Sequence, residues 1–463
     1  MINAFQELMA VRGADVAPDV QITGSDSVYH TKFKVTETAA AILAANAAAI
    51  NDIWELKTGR RQTASVDMRH AAAVLNSSNY LEFRQENGEY VAKQDSELSK
   101  QAYDIIAPYY TRDDRLFMPH FGMPHLKEKV LKILGCDFDA QSVGKAVAKW
   151  DAEELDQVIA DANCCGGIVR TQDEWLAHPH GQALSAKAVV EIEKIGDSEP
   201  EPFPSGGLPL QGIRVLDLTR ILAGPVAART LGEYGADVLM VAAKHVPQIK
   251  KFFIDLSHGK RSCYLDMRDQ EEAEHLKQLV RQADVFSQGY RPNALTRKGF
   301  GPEQLAEIRP GLIYTTINCY GSDGPFSDRG GWEQIAQTVT GVSHENGEFP
   351  TLLPVFFSDY GTGYLGAYGT LLALARRAVE GGSYHVKVSL CQTAMFLQRQ
   401  GRLENPNVGI PLSAEEVQAL QQTSQTSYGD IRHLGPVVRY SEVQPRYAGP
   451  TPALGAHKAE WLG

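Results

Sequence analysis

The sequence predicts an α/β protein: a large domain built on a doubly wound parallel sheet of Rossmann-like type, with a smaller α+β domain beside it. Three observations predict it. Strand-like and helix-like segments alternate between residues 212 and 317. A Pro- and acid-rich stretch at 196–207 separates this alternation from what precedes it. One order of elements, an apolar entry, a small-residue helix, a glycine turn and a strand, occurs twice. Alternation of this kind covers a parallel sheet with helices on both faces, and ligands of such folds bind at the carboxyl ends of the strands.

In chain order, residues 1–28 carry mixed polarity with Gly and Asp breaks, and predict a short helix and a loose connection. An Ala-rich helix at 38–56 is stopped by Gly59-Arg60-Arg61-Gln62, and a strand-like 63–66 and a helix from Arg69 follow. The order returns at 355–403, where Gly381-Gly382-Ser383-Tyr384 precedes the strand-like His385-Val386-Lys387-Val388-Ser389-Leu390. Laid over one another without gaps, Gly59 falls on Gly381, Val66 on Val388 and Glu37 on Asp359. The chain therefore reads as two related units, the first of them (1–95) degenerate.

A small α+β domain is expected at 96–195, where Thr171 and Glu174 have the spacing of a capping box. The prolines and acids of the linker, 196–208, keep it extended and unpacked. The large domain, 209–403, takes strands at 212–218, 236–242, 261–267, 284–287 and 312–317, with helices at 223–234 and 270–283. Residues 404–463 are polar and Pro-rich, and read as an extended strap.

Composition narrows the function. A formal net charge of −11 in 463 residues argues against a general nucleic-acid or anionic-membrane partner. No apolar stretch reaches the ~20 residues that span a bilayer, and the start lacks a basic region followed by an apolar core. The default address is the cytoplasm. The six cysteines lack paired metal-ligand spacing and read as core residues of a reducing compartment, so no metal is expected.

Chemistry concentrates in the run Pro354-Val355-Phe356-Phe357-Ser358-Asp359, which is followed by small residues with Leu and Tyr at helical spacing. It reads as strand, turn, helix. A carboxylate at such a turn lies in the field of the helix N-terminus and is expected to stay ionised, and an ordinary N-cap is the bland alternative. The first large-domain turn, Thr219-Arg220-Ile221-Leu222-Ala223-Gly224-Pro225, lacks Gly-x-Gly-x-x-Gly, which disfavours a dinucleotide. It presents amides at a helix start instead.

The stretch from Pro209-Leu210-Gln211-Gly212-Ile213-Arg214-Val215-Leu216-Asp217-Leu218 through that turn, with Leu231-Gly232-Glu233-Tyr234-Gly235-Ala236-Asp237-Val238, resembles the opening of the class III (CaiB/BaiF-type) coenzyme A transferases. The resemblance continues in order through Gly259-Lys260-Arg261-Ser262, Tyr290-Arg291-Pro292-Asn293-Ala294-Leu295, Tyr320-Gly321-Ser322-Asp323-Gly324-Pro325 and Gly331-Trp332-Glu333, to the segment around Asp359. It implies that Asp359 is the nucleophile, with Glu333 facing the acyl group beside it. It also implies a coenzyme A site at Leu222, Ala223, Lys260, Leu265, Tyr290 and Arg297, with Lys260, Arg297 and Lys244 near phosphates.

The reaction implied is transfer of coenzyme A from an acyl-CoA to a carboxylic acid, through an aspartyl anhydride and an aspartyl-CoA thioester. Coenzyme A and acyl-CoA would be substrates, with no tightly bound cofactor and no nucleic-acid or membrane partner. Family members form interlocked dimers, which implies a homodimer. The chain departs from the family at Ala242-Ala243 and Gly289, and its small domain precedes the first large-domain strand, the order of a permuted fusion. Two rivals stand beside this reading. A 2-methylacyl-CoA racemase would pair the same aspartate with a His before another Asp, where this chain has Trp332-Glu333. A non-catalytic CoA-binding homologue is the other.

Overall fold

The computed structural model describes residues 3–14, 16–92, 104–291 and 293–462. The boundary expected between 95 and 96 lies outside the described residues. At the centre is a mixed seven-stranded sheet. Its strands are β3 (Glu191–Gly196), β4 (Arg214–Leu218), β5 (Asp237–Ala242), β6 (Arg261–Tyr264), β7 (Val285–Gln288), β8 (Ile313–Asn318) and β9 (Ser383–Ser389), numbered after β1 and β2 of the first unit. Their spatial order is β6-β5-β4-β7-β8-β9-β3, parallel throughout except for the antiparallel edge strand β3.

Both faces of this sheet are covered, as period-2 strands that are apolar on both sides require. Val215, Val285 and Ile313 enter one core, whereas their neighbours Leu216, Phe286 and Tyr314 enter another with Leu276 and Leu279 of the helix Gln270–Val280. The chain runs outward from β4 to β6, then returns to β7 and runs the other way. The order therefore reverses between β4 and β7, where the crossover connections part and leave a crevice.

The first unit has the same order of elements as the end of the large domain. It comprises β1 (Val20–Thr23), α1 (Val35–Thr58) and β2 (Ala64–Asp67), and β1 and β2 pair in parallel as β8 and β9 do. The large domain supplies α2 (Ala223–Glu233), α3 (Glu333–Thr340) and α4 (Phe357–Glu380). α1 and α4 are both 24 residues long, and Glu37 and Asp359 are each the third residue of their helix. α1 ends where Gly59 turns into the left-handed region at φ 72° and donates its N–H to Glu55 O, a stop for which glycine is the cheapest residue. Asn46 of α1, buried between the two helices, donates Nδ2 to Tyr364 O of α4 at 3.0 Å.

α2 and α4 also pack at backbone distance. A Cβ on Gly363 would lie 2.5 Å from Ala223 O and 2.6 Å from Val226 Cβ, so only glycine fits. The expected strand before Asp359 is absent. Residues 351–356 are irregular and helix begins at Phe357. The ladder position beside β8 is filled by β9, so the buried Val355 and Phe357 anchor a helix start instead.

The small unit holds the sheet Tyr109–Tyr110, Leu116–Pro119 and Gly166–Ile168, and Thr171 and Glu174 close the expected capping box. It docks on α3, with Arg170 donating its N–H to Thr338 O and Gly167 lying against Val339. The stretch 197–207 is extended but pinned, since Glu201 holds Arg309 at 2.6 Å. Residues 404–463 contain the helix Ala414–Leu420 and a hairpin, Gln421–Thr426 with Gly429–Leu434, that joins Glu82–Arg84 and Tyr90–Ala92 in one sheet. No described helix is long and apolar enough to cross a membrane.

Candidate active site

The loops after β4 and β7 and the end of β8 enclose a cavity of about 370 Å³ at the carboxyl edge of the sheet. Its walls include Thr219 to Gly224, Tyr290, Arg291, Asn318, Cys319 and Trp332, with Cys165 and Leu126 reaching in from the small unit. A second cavity of about 200 Å³ lies next to it, under Phe121, Ile249, Phe252 and Phe356. Ile221, Leu222, Trp332 and Asp359 line both cavities. Asp359 thus stands where the two spaces meet.

The wall between them is a strained turn. Ile221 has φ 74°, a conformation that a β-branched residue adopts only under constraint. The constraint comes from below. Asp217 in β4 accepts the Thr219 N–H at 3.0 Å and takes Lys260 Nζ at 2.9 Å, while Lys260 also donates to Pro225 O at 2.9 Å. Lys260 and Asp217 are fully buried, so this pair ties the two ends of the turn together. A Cβ on Gly224 would lie 2.2 Å from Thr219 Cβ, which closes the turn tightly. Leu222, the residue before α2, offers no side-chain cap, so the first amides of α2 have no side-chain acceptor at the cavity edge.

The start of α4 is different. Phe356 provides no cap either, but the buried Glu333, first residue of α3, takes its place. Its carboxylate accepts the N–H of Ser358 at 3.0 Å and the N–H of Asp359, and Gln337 Nε2 donates to it at 2.6 Å. Burial nevertheless pushes the Glu333 carboxyl up to about 7. Asp359 is also raised well above the usual carboxylate range, first by burial and then by the Glu333 charge. The expectation that the helix field keeps Asp359 ionised is thus corrected, because the amides carrying that field are aimed at Glu333.

The structure brings Leu222, Ala223, Tyr290, Glu333 and Asp359 together on these cavities. It does not bring the others. Lys260 is locked under the turn, Leu265 is buried in the core on the other face of the sheet, and Arg297 is exposed on the short 3-10 turn Thr296–Lys298, off both linings. Lys244 lies over the Tyr264 ring at 5.7 Å. Among the described residues, the cations lining the larger cavity are Arg220, Arg291 and Arg329, which the sequence reading did not single out. Arg220 and Arg291 stand inside segments already conspicuous in sequence. His120, Phe121 and Cys165 carried no signal, since they come from the small unit far ahead in the chain.

Known proteins resemble this chain over much of its length. Residues 210–416 match the model of CoA-transferase family III. The chain is 30% identical over 412 residues to the acetyl-coenzyme A transferase nodX of Hypoxylon pulicicidum, covering 79% of this chain and 69% of that one. It is 31% identical over 414 residues to an acyl-CoA transferase of Gibberella moniliformis, covering 76% and 73%. The crystal structure of Rv3272 from Mycobacterium tuberculosis aligns at 30% identity with a TM-score of 0.40, over 42% of this chain and 57% of that one. The chain belongs to CoA-transferase family III and is an enzyme of the CoA-transferase class.

Proposed function

We propose that this enzyme moves coenzyme A between an acyl-CoA and a carboxylic acid with Asp359 as the covalent carrier. The observation that carries the reading is the position of the Asp359 carboxyl at the junction of two cavities, one with cations and free helix amides, the other apolar. The larger space suits the pantetheine arm, passing Leu222, Ala223 and Tyr290, with Arg220 and Arg291 toward the phosphates. The smaller suits the acyl group.

In the first step an Asp359 oxygen attacks the thioester carbonyl, the C–S bond breaks, and coenzyme A leaves as thiolate from a mixed anhydride. The thiolate then attacks the aspartyl carbonyl and expels the donor acid as carboxylate, leaving an aspartyl-CoA thioester. The acceptor carboxylate attacks that thioester, re-forming an anhydride, and the thiolate released takes the acceptor's acyl group and frees Asp359. The first amides of α2, at Ala223 and Gly224, are suited to stabilise the oxyanions of these steps. Lys260 serves by holding the turn that presents them. Glu333 holds the N-terminus of α4, and with it Asp359, in place.

The order of units supports a permuted fusion of transferase-like segments, with a homodimer as the expected assembly. Incubation with an acyl-CoA followed by hydroxylamine should convert Asp359 to a hydroxamate detectable by peptide mass. Absence of label at Asp359 under turnover overturns the assignment.

A further inference from the structure

The smaller cavity speaks to which acids are exchanged, on the reading of Asp359 given above. Its far walls are Ile106, Phe121, Ile249, Phe252 and Phe356, with Phe252 and Phe356 in edge-to-face contact at 6.2 Å. Among the described residues lining it there is no Lys or Arg, whereas the larger cavity has three arginines.

Its histidine brings no charge either. His120 Nδ1 accepts the Gly122 N–H at 3.2 Å, so Nε2 carries the proton and donates to Gln334 Oε1 at 3.2 Å. The ring lies stacked on Trp332 at 4.7 Å, and burial lowers its pKa to about 4, so it is neutral at pH 7. Among the described residues lining this cavity, the acidic groups are the carboxyls of Asp359 and Glu333. A second carboxylate on the acyl group would enter without a counter-ion, beside two acids that burial already makes costly to ionise.

We propose that the cavity under Phe252 and Phe356 selects uncharged, apolar monocarboxylic acyl groups and refuses dicarboxylic ones. Pentanoyl-CoA and glutaryl-CoA make the test, since they match in chain length and differ by a terminal methyl against a terminal carboxylate. With one acceptor and the full-length protein, kcat/KM for pentanoyl-CoA should exceed that for glutaryl-CoA by roughly 100-fold or more, as expected for burying an unpaired charge.

Phe252→Arg, which adds a counter-ion to the wall, should move that ratio at least ~10-fold toward glutaryl-CoA, and Ile249→Lys tests the same point where the first variant fails to fold. Glutaryl-CoA used as well as pentanoyl-CoA, with hydroxylamine label still at Asp359, overturns the inference and leaves the carrier role standing. A ratio unmoved by a folded cationic variant also overturns it. No label at Asp359 from either donor overturns the carrier role itself.

Discussion

The Glu333 carboxylate accepts the backbone N–H of Asp359, so one acid caps the helix that presents the other. A helix start normally stabilises the carboxylate nearest its amides. Here that benefit goes to Glu333, and Asp359 is left raised by burial and by its neighbour's charge. Such a pair titrates as a unit.

Replacing Asp359 by Ala should lower CoA exchange by roughly ten-thousand-fold or more, the scale of losing a covalent nucleophile. Coenzyme A affinity, measured by calorimetry, should stay within a few-fold of wild type, because the carboxyl does not hold the pantetheine. Retention of exchange would place the chemistry elsewhere.

The pair also sets a pH dependence. Attack needs ionised Asp359, whose proton is held well above the usual carboxylate range, so kcat/KM should begin to fall at a higher pH than an ordinary carboxylate would set. Glu333→Gln removes the repelling charge, lowers the Asp359 pKa, and should move this acid limb to lower pH. Wild-type stability should fall as pH rises through about 7, and the substitution should remove that dependence. Folded Glu333 keeps its proton to about 7 against 4.5 ordinarily, so its contribution is full below 4.5 and lost as pH rises through 7. Parallel profiles for the two proteins would contradict both statements.

Glu333→Ala should cost about 1–3 kcal/mol of stability, because the amides of Ser358 and Asp359 lose their acceptor. Urea denaturation midpoints check it, and a cost near zero would mean that the cap is replaced.

Lys260→Met should cost about 3–5 kcal/mol by leaving Asp217 charged and alone in the core. If Lys260 instead met a phosphate, the variant would keep its stability and lose affinity for coenzyme A and desulfo-coenzyme A, but not for an analogue lacking that phosphate. Denaturation and KM measured together separate the two.

Gly363→Ala should push α2 away from α4, costing about 1–3 kcal/mol and lowering kcat through the displaced turn 219–222. An alanine variant as active and stable as wild type would show that the two helices can separate without moving the turn.

The sequence alone determined much of the frame. Strand and helix periods, the Thr171–Glu174 cap and the Gly59 stop are local patterns, written within a few residues of where they act. The placing of Asp359 near a helix start was equally local. Tertiary structure decided the rest. That Glu333 would take the amides meant for Asp359, that Lys260 would turn inward to Asp217, and that His120, Phe121 and Cys165 would cross from the small unit all depend on which surfaces pack together. A residue's neighbours along the chain fix its backbone, but the burial and charge that set its chemistry are supplied by residues far away in sequence.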